Sequence, residues 1–431
     1  MMSLTVIAIF FLLLVLGVPL ALALGTGVVV ALLVFGLPLE MMAQSTFSSM
    51  NSFLLIAVPL FVLAGNVMAG GGISERIFNG ASVMFGRFRG GLGQVNIAAS
   101  AIFGGISGSS VADVVSLGKI EIKAMTDHGY PKPYGAALTM ATSTLSSVIP
   151  PSILMIIAAS ASGVSVGAAL AGGFGPSVIF ILVLMVMNYF ISVWKKYGEI
   201  SRESLRESIK TVVVGIPALG GPVVILYGLF GGLFTPTEAA AVAVVYSVVV
   251  AMFVYRDMKP RQLPAMLIES GVTTGTILFI AMVASAASYI FTIDGLPARV
   301  SAGLTTLTTD PLLMMLLIGV ILLIIGAIMD ITAAILLTIP ILMPTAIATG
   351  IDPVHFVVFL VAALSIGLVT PPIGVSLFAT AFVAKLPMET VVKSALPHYA
   401  VLGGAVILLA VFPDLVLLPA EWLTGYQPVG R

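Results

Sequence analysis

Long apolar runs divide this chain and limit it to a helical membrane fold. Twelve runs are suited in length to membrane segments: Leu4 to Leu16, Val18 to Phe35, Phe53 to Ala69, Gly91 to Gly118, Tyr134 to Ser160, Gly167 to Trp194, Thr211 to Phe230, Thr235 to Tyr255, Gly271 to Phe291, Pro311 to Leu342, Val354 to Ala384 and Tyr399 to Phe412. Only 8% of the residues are charged and 59% are apolar, which excludes a soluble globule. Since lipid offers no hydrogen bonds to the backbone, the runs predict an all-α polytopic membrane protein with about 10 to 12 transmembrane helices.

The composition also excludes several classes of function. The net charge is zero and no basic block is present, so nothing in the charge pattern supports binding to nucleic acid. The chain has no cysteine, and therefore no disulfide, thiolate metal site or cysteine nucleophile. No glycine-rich run ends in a GK[ST] motif, which leaves ATP-driven transport unsupported, and no Ser-His-acid set indicates an enzyme. His128, His355 and His398 fall in loops or at span ends without ligand spacing, so they predict no metal site.

The run from Phe103 to Gly118, FGGISGSSVADVVSLG, interrupts an apolar segment with glycine and serine just before Asp113. Glycine costs a helix about 1 kcal/mol relative to alanine, and serine competes for backbone hydrogen bonds. The pattern predicts a broken helix with a turn between two half-helices. Irregular backbone at membrane depth is tolerated where it is buried in protein or lines a cavity, and an acid there indicates a functional site.

Three landmarks recur in the same order in the two halves of the chain. The pairs are Pro19 with Pro236, Asp113 with Asp330, and Pro150-Pro151 with Pro371-Pro372. The offset is 217 residues for the first two pairs (236 − 19 and 330 − 113) and 221 for the third (371 − 150). The pattern predicts an internal repeat. The first unit is 1–194, with a re-entrant hairpin at 91–118 and a broken helix at 134–160; the second, after a linker at 195–210, is 211–431, with a hairpin at 311–342 and a broken helix at 354–384.

The distribution of Lys and Arg predicts the orientation of the chain. With the N-terminus outside, the cytoplasmic segments contain Arg76, Arg87, Arg89, Lys119, Lys123, Lys132, Lys195, Lys196, Arg202, Arg206, Lys210, Arg256, Lys259, Arg261, Lys385 and Lys393. Arg299 and Arg431 are then the external basic residues, and 195–210 is a cytoplasmic amphipathic linker. Each half has five full spans and one hairpin, so the second half enters the membrane from the opposite side. Inverted-topology repeats are the architecture of many secondary transporters.

The repeat brings together four interrupted elements. Two are hairpin tips, Gly104 to Asp113 and Gly326 to Thr332; the others are broken spans around Thr142, Ser143, Thr144, Ser146, Ser147 and Pro150-Pro151, and around Thr370, Pro371-Pro372, Gly374 and Ser376. Tandem proline removes two backbone donors and leaves upstream carbonyls without helical partners. Such carbonyls, with hydroxyls and a carboxylate, form an oxygen cage suited to Na⁺, while N–H groups at half-helix N-termini favour an anionic substrate. The set therefore predicts symport of a cation with an anion.

The two aspartates leave two interpretations open. An aspartate at the bilayer centre costs at least about 2.5–3.5 kcal/mol, so Asp113 and Asp330 need compensation. A bound cation, a proton or a helix terminus would supply it. The alternative is that each aspartate caps the helix after the break and takes no part in transport. Glu238, in the sequence TPTE, is interpreted as the acid of a capping box with proline at the first helical position.

These motifs together resemble the large membrane subunit of a tripartite ATP-independent periplasmic (TRAP) transporter. The segments that carry the resemblance are GGISGSSVADVVSLG, YPKPYGAALTMATSTLSSVIPPSILMI, LFTPTEAAAVAVVYS, MDITAAILLTIPILMP and GLVTPPIGVSLFATA. The resemblance covers essentially the whole chain. It implies a Na⁺-driven elevator-type importer, multi-pass in a bacterial or archaeal cytoplasmic membrane. It also implies two partners, a small four-helix membrane subunit and a soluble periplasmic binding protein that delivers a small carboxylate, with no cofactor besides the coupling ion Na⁺.

The resemblance also implies site residues. The Na⁺ ligands would be Ser107, Ser109, Asp113 and Thr144 at the first tip and broken span, and Gly326, Asp330, Thr332 and Thr370 at the second. The substrate would lie against Gly105, Gly108, Ser110, Ser146, Ser147, Pro150, Pro371, Gly374 and Ser376. Neither tip contains Lys or Arg, so backbone N–H groups, hydroxyls and Na⁺ would hold the substrate carboxylate.

Other functions compete with this interpretation. A stand-alone Na⁺–dicarboxylate symporter of similar elevator architecture would need no binding protein. An ion channel would be expected to show a symmetric selectivity ring rather than two distinct broken helices. A non-transporting membrane scaffold would leave the two aspartates unexplained.

Overall fold

The computed structural model describes residues 1–50, 53–86, 90–198 and 205–429. Thirteen α-helices form the first half: α1 Met2–Val15, α2 Leu20–Val34, α3 Glu40–Met50, α4 Ala57–Gly70, α5 Ile73–Phe85, α6 Gly91–Ser107, α7 Ser110–Ser116, α8 Gly118–Asp127, α9 Lys132–Thr142, α10 Leu145–Val148, α11 Ile153–Ser162, α12 Val166–Gly172 and α13 Phe174–Lys195. Ten form the second: α14 Leu205–Phe230, α15 Pro236–Val249, α16 Leu263–Ile293, α17 Leu296–Leu307, α18 Pro311–Ile328, α19 Ile331–Ala348, α20 Pro353–Gly367, α21 Val375–Ala384, α22 Met388–Val411 and α23 Asp414–Thr424. The described residues contain no β-strand, so the predicted all-α class is confirmed.

Many of these helices have the length and composition of membrane spans. Within the described ranges, seven helices are long and apolar enough to cross a bilayer, and the number rises to nine if each of two bent helix pairs is one span. The bent pairs are α4 with α5, at 70°, and α9–α10 with α11, at 45°. Helices α1, α2, α20 and α21 are apolar but shorter. The fold is thus a polytopic helical bundle, and the inverted orientation of its two halves stays a prediction.

Helices are interrupted at four places, and glycine or proline marks three of them in the sequence. Between α6 and α7, Gly108 adopts the left-handed conformation with φ 58°, and between α18 and α19 the chain is extended at Met329 and Asp330. The tandem prolines separate α10 from α11 and α20 from α21. Gly374, with φ 47°, begins α21. Three of the interrupted segments therefore lie where a side chain would be strained or where proline lacks an N–H donor, and the break at Met329 and Asp330 has neither feature.

Several helices extend beyond the apolar runs that predicted them. Helix α22 begins at Met388 instead of Tyr399, so His398 lies inside a helix and is fully buried, which corrects its placement at a span end. Helix α19 continues from the predicted hairpin end at 342 to Ala348. The run that predicted α22 begins late because Glu389 and Lys393 lower the hydropathy, although both residues have good helix propensity. Of the predicted cytoplasmic segments, Arg87, Arg89 and linker residues 199–204 lie outside the described residues.

Interrupted elements of the two halves pack against each other. Helix α7 of the first hairpin packs against α21, and α11 of the first broken span packs against α19 of the second hairpin. Helix α20 lies at the centre, with every residue from Val354 to Gly367 buried. Helix α16 packs against α2, α4 and α19. The hairpins and broken spans thus form one interlocked group.

Close approach of glycine backbones holds the second hairpin against α20. A Cβ atom added at Gly367 would lie 2.7 Å from the Cα atom of Gly326, and one added at Gly326 would lie 2.8 Å from the carbonyl oxygen of Leu364. Small residues allow helices to pack closely in membrane proteins. Gly326, predicted as part of a Na⁺ site, therefore has a packing role in this structure.

The substitution Gly367→Ala is expected to destabilise the protein by about 1–3 kcal/mol, because the added methyl group overlaps backbone atoms that cannot move independently. The measurement is the melting temperature of the purified protein in detergent. Gly403→Ala in α22 is the matched control, since a Cβ atom there meets nothing within 4 Å. Equal melting temperatures for the two variants would contradict the packing role.

Candidate functional site

The first hairpin tip lies directly on the first broken span. A Cβ atom at Gly104 would lie 2.7 Å from Cα and Oγ of Ser146, and one at Gly105 would lie 3.2 Å from the Pro150 carbonyl oxygen. At Gly108, where φ is already positive, a Cβ atom would lie 3.0 Å from the Ile153 amide nitrogen. Gly105 and Gly108, predicted at the substrate site, thus allow two interrupted segments to approach each other.

A hydroxyl pair joins the tip to the broken span. Ser110 Oγ and Ser147 Oγ are 2.8 Å apart, and both side chains are buried. Ser152 donates its hydroxyl proton to the Ser147 carbonyl oxygen and accepts a hydrogen bond from Met155 N, which caps α11. The structure therefore brings Ser110 and Ser147 together, as expected for members of one site.

Asp113 is buried without a protein partner. Its side chain is 1% exposed, and neither carboxylate oxygen makes a hydrogen bond within the described part of the chain. Ser109, not Asp113, is the N-cap of α7, with its Oγ accepting from Ala112 N at 3.3 Å. The capping alternative therefore fails for Asp113.

Two predicted hydroxyls of the first broken span differ in their surroundings. Thr144 is fully buried and donates to the Ala141 carbonyl oxygen at 2.7 Å, as helical threonines do. Ser146 is also fully buried, but its Oγ has no partner among the described residues. Ser107, at the end of α6, is 5% exposed, and its Oγ lies 3.5 Å from Ser109 N.

The second tip uses its aspartate differently. Asp330 is the N-cap of α19, and its Oδ1 accepts a hydrogen bond from Thr332 N at 2.8 Å. The residue is partly exposed, whereas Thr332 is buried. Asp330 therefore has the capping role that the sequence left open as an alternative. Its Oδ2 atom takes no part in the capping hydrogen bond.

The second broken span binds the second tip through its backbone. Ile373 N and Gly374 N both donate to the Ala327 carbonyl oxygen, each at 3.2 Å. Thr370 donates to the Ile366 carbonyl oxygen at 2.6 Å, and Pro371 is exposed. Ser376 Oγ is buried without a partner in the described ranges, as is Ser146 Oγ in the first half. The two halves thus share an architecture, but the first is enclosed and the second more open.

A cavity lined with hydroxyl groups adjoins this group of elements. It has a volume of about 330 Å³ and lies between α11, α16 and α19, with Ser160, Ser285, Ser288 and Ser48 among its lining residues. A neighbouring cavity of about 460 Å³ shares Ser48, Ser285 and Ser288. The lining residues of both cavities are uncharged, so they can solvate a polar solute without binding it tightly.

The structure also shows a polar cluster that the sequence interpretation missed. Glu121 on α8 is fully buried beside Asn96 and Ser100 of α6 and Thr139 and Thr142 of α9. A glutamate in the polar segment GKIEIK resembles an ordinary surface residue, and only its position opposite α6 and α9 reveals its burial. Glu238, by contrast, forms the predicted capping box with Thr235, which is confirmed.

Comparison with known proteins identifies the family. Residues 7–415 match the family model described as "Tripartite ATP-independent periplasmic transporter, DctM component". The chain is 37% identical over 382 residues to the C4-dicarboxylate TRAP transporter large permease protein of Pseudomonas aeruginosa, covering 89% of this chain and 90% of that one. It is 38% identical over 384 residues to the sialic acid TRAP transporter large permease protein of Vibrio cholerae, with the same coverage.

Two further similarities concern chain length and fold. The isethionate TRAP transporter permease protein DctMQ of Oleidesulfovibrio alaskensis is 36% identical, and the match covers 94% of this chain but 64% of that longer one. Among solved structures, the YdaH transporter of Alcanivorax borkumensis matches with a TM-score of 0.54 and 16% identity, over 83% of this chain and 85% of that chain. The similarity to the YdaH transporter shows a shared fold.

The curated relatives are named as permeases, and their match extends over most of this chain and its interrupted helices. The chain therefore belongs to the DctM family, the large permease component of tripartite ATP-independent periplasmic transporters, and is a multi-pass inner-membrane protein.

Proposed function

We propose that this chain imports a small organic anion together with Na⁺ by an elevator mechanism and receives the anion from a periplasmic binding protein. In this proposal it is a transporter and not an enzyme. Ser107, Ser109, Asp113 and Thr144 contribute to one Na⁺ site, and Gly326, Asp330, Thr332 and Thr370 to the other. The substrate lies between the tips and broken spans, where Ser146 and Ser376 each have an unpartnered hydroxyl group.

The observation that carries the proposal is the environment of Asp113. A buried carboxylate without a partner costs several kcal/mol, so its charge must be compensated. The surrounding tip and broken span offer hydroxyl and carbonyl oxygens, which are the ligands preferred by hard cations. Neither tip contains a Lys or Arg that could pair with Asp113 instead. A bound Na⁺ would neutralise the carboxylate and link the two segments.

Two observations support the second Na⁺ site: the two halves have similar interrupted elements, and only one carboxylate oxygen of Asp330 accepts the capping hydrogen bond. Its Oδ1 caps α19, and a carboxylate has further acceptor capacity on its other oxygen. The α19 N-terminus carries partial positive charge, which favours an anion nearby. A substrate carboxylate and a cation can thus be neighbours at this tip.

The elevator part of the proposal is supported by how the helices are grouped. The hairpins and broken spans contact one another across the two halves, through α7 with α21 and α11 with α19. Such a group can move as one body against the remaining helices, with α16 at the boundary. The hydroxyl-lined cavity between α16 and this body provides a polar route for the anion.

The substrate class and partners are proposed from the relatives. Their names specify C4-dicarboxylate, sialic acid and isethionate, which are all small organic anions. About a third of the longer isethionate permease lies outside its match to this chain, which leaves room for a fused small membrane subunit. We therefore assign this chain a separate small membrane subunit and a soluble periplasmic partner.

Replacing Asp113 with asparagine is expected to lower Na⁺-driven uptake into proteoliposomes at least about tenfold, which corresponds to 1.4 kcal/mol of lost cation binding. Na⁺ should also cease to raise the melting temperature, because a ligand stabilises only the protein that binds it. Asp330→Asn should have a smaller effect, since asparagine retains the N-cap. Asp310→Asn, at an exposed N-cap of α18, is the control. Full Na⁺ dependence in the Asp113 variant would refute the assignment of the first site.

The binding-protein requirement has its own experiment. Proteoliposomes containing this chain and its small partner are given radiolabelled carboxylates and an inward Na⁺ gradient, with or without the cognate periplasmic protein. Uptake should need both Na⁺ and the soluble protein. Uptake with Na⁺ alone would identify a stand-alone symporter, and unsaturable flux without Na⁺ would identify a channel.

The substitutions Ser146→Ala and Ser376→Ala should raise the concentration of substrate or Na⁺ that gives half-maximal uptake, without lowering the melting temperature. Neither hydroxyl has a described protein partner to lose, and a buried unpaired hydroxyl costs about 1–3 kcal/mol. Ser110→Ala is the contrasting variant, because it removes the bond to Ser147 and should reduce stability. Unchanged uptake constants in both test variants would exclude a ligand role for these hydroxyls.

A further inference from the structure

Five polar side chains join α6, α8 and α9 in a buried ring that the proposed transport site does not use. They are Asn96, Ser100, Glu121, Thr139 and Thr142, and each has an exposed fraction of 0%. A glutamate is almost never fully buried unless it is paired. The ring must therefore satisfy the carboxyl group of Glu121 by itself.

Five hydrogen-bond distances connect these side chains into a closed ring. Asn96 Nδ2 donates to Thr139 Oγ1 at 2.7 Å, and Thr139 Oγ1 donates to Glu121 Oε2 at 3.1 Å. On the other side, Thr142 Oγ1 donates to Asn96 Oδ1 at 2.9 Å. Ser100 Oγ completes the circuit, 3.1 Å from Thr142 Oγ1 and 3.4 Å from Glu121 Oε1.

Counting protons indicates that Glu121 is neutral when Thr142 donates to Asn96 Oδ1 rather than to its other acceptor, the Thr139 carbonyl oxygen at 3.0 Å. The ring has five links, and the three hydroxyls and one amide N–H aimed along it supply four protons. Ser100 has one proton, which serves either Thr142 or Glu121. If Glu121 is protonated on Oε1, it donates to Ser100, and Ser100 donates to Thr142. Each link then contains one proton, so the neutral carboxyl completes the ring and the carboxylate leaves one link without a proton.

Within the part of the chain that the structure describes, no Lys, Arg or His side chain forms an ion pair with Glu121. On α8 itself, Lys119, Lys123 and Asp127 are exposed. Helices α6 and α21 contain no charged residue, and α9 contains Lys132 at its first position. The charged residue of α7 is Asp113, a second carboxylate, which provides no positive charge to pair with Glu121. These surroundings favour the neutral form, because an unpaired buried charge is expensive.

The second half of the chain shows that the architecture does not require this ring. At the repeat offsets of 217 and 221 residues, the five positions correspond to Leu313, Leu317, Thr338, Leu360 and Ala363. The same hairpin and broken span are thus built there with mostly apolar side chains. Thr338 donates only to the Ala334 carbonyl oxygen within its own helix. The polar ring is a feature of the first half alone.

We propose that Glu121 is a proton-binding site, whose ligand is one proton held on the carboxyl group and enclosed by the ring. Asn96 and Ser100 lie in the first hairpin and Thr139 and Thr142 in the first broken span, while Glu121 lies on α8 between them, so the bound proton moves with these elements. Loss of the proton opens one link and leaves a buried charge. That change opposes the enclosed packing of α6, α8 and α9.

The protonation state is tested by infrared spectroscopy of the full chain in lipid nanodiscs. The wild type should show the carbonyl stretch of a protonated carboxyl at neutral pH, and Glu121→Gln should abolish that band. Glu389→Gln, at an exposed position of α22, is the control and should leave the band unchanged. A wild type without the band, or a band that persists in Glu121→Gln, overturns the proposal. All of these spectra are recorded in an Asp113→Asn background, so that protonation of the buried Asp113 carboxyl group cannot contribute to the band and the readout does not depend on the proposed Na⁺ site.

A second readout tests the role of the proton in transport and rests on the proposed function. Wild-type uptake should fall as pH rises, by about tenfold per pH unit once the carboxyl group loses its proton. Glu121→Gln should fold and show a flat profile over the same range, because an amide donates to Ser100 and accepts from Thr139 as the neutral acid does. Parallel profiles in the two proteins, or a Glu121→Gln variant that fails to fold, overturn the proposal.

Discussion

The requirement that interrupted backbone find partners away from lipid governs this fold. Where α20 stops before the tandem proline, Ile373 N and Gly374 N reach across to the Ala327 carbonyl oxygen at the second tip. At the first break, Ser152 satisfies the Ser147 carbonyl oxygen. Each break is therefore stable because another element lies against it. The hairpins and broken spans cannot separate without exposing polar groups, and this coupling makes them a single body.

The two halves use this common framework with different electrostatics. Asp113 is enclosed and unpartnered in the described structure, whereas Asp330 is partly exposed and caps α19. A charge in the enclosed position needs a compensating ion more than one stabilised by a helix N-terminus. In the proposed mechanism the two sites therefore differ in how strongly they hold a cation, although the predicted repeat assigns them equivalent places. Such a difference suits sequential binding, with the enclosed site as the tighter one.

The sequence predicted the features that local chemistry determines. Gly108, Gly374 and the tandem prolines marked the helix breaks, because positive φ and missing donors are properties of the residues themselves. The beginning of α22 at Met388 was missed, since hydropathy falls there while helix propensity does not. Glu121 was missed for a different reason. Its burial depends on α6 and α9 packing around it, and no local pattern encodes that contact.

The polar groups of the buried elements are of two kinds: some are satisfied within the protein, and others are left to bind a ligand. In the ring around Glu121, every hydrogen-bonding group can be satisfied internally once one proton is bound, so this part can cross a low-dielectric region as a neutral body. At Asp113, Ser146 and Ser376, the described protein leaves polar atoms unsatisfied, which makes binding of an ion or anion favourable. A carrier needs both properties, because an uncompensated charge inside the moving body would oppose every passage. The neutral ring around Glu121 and the unpartnered polar atoms of Asp113, Ser146 and Ser376 therefore have complementary roles in the proposed transport mechanism.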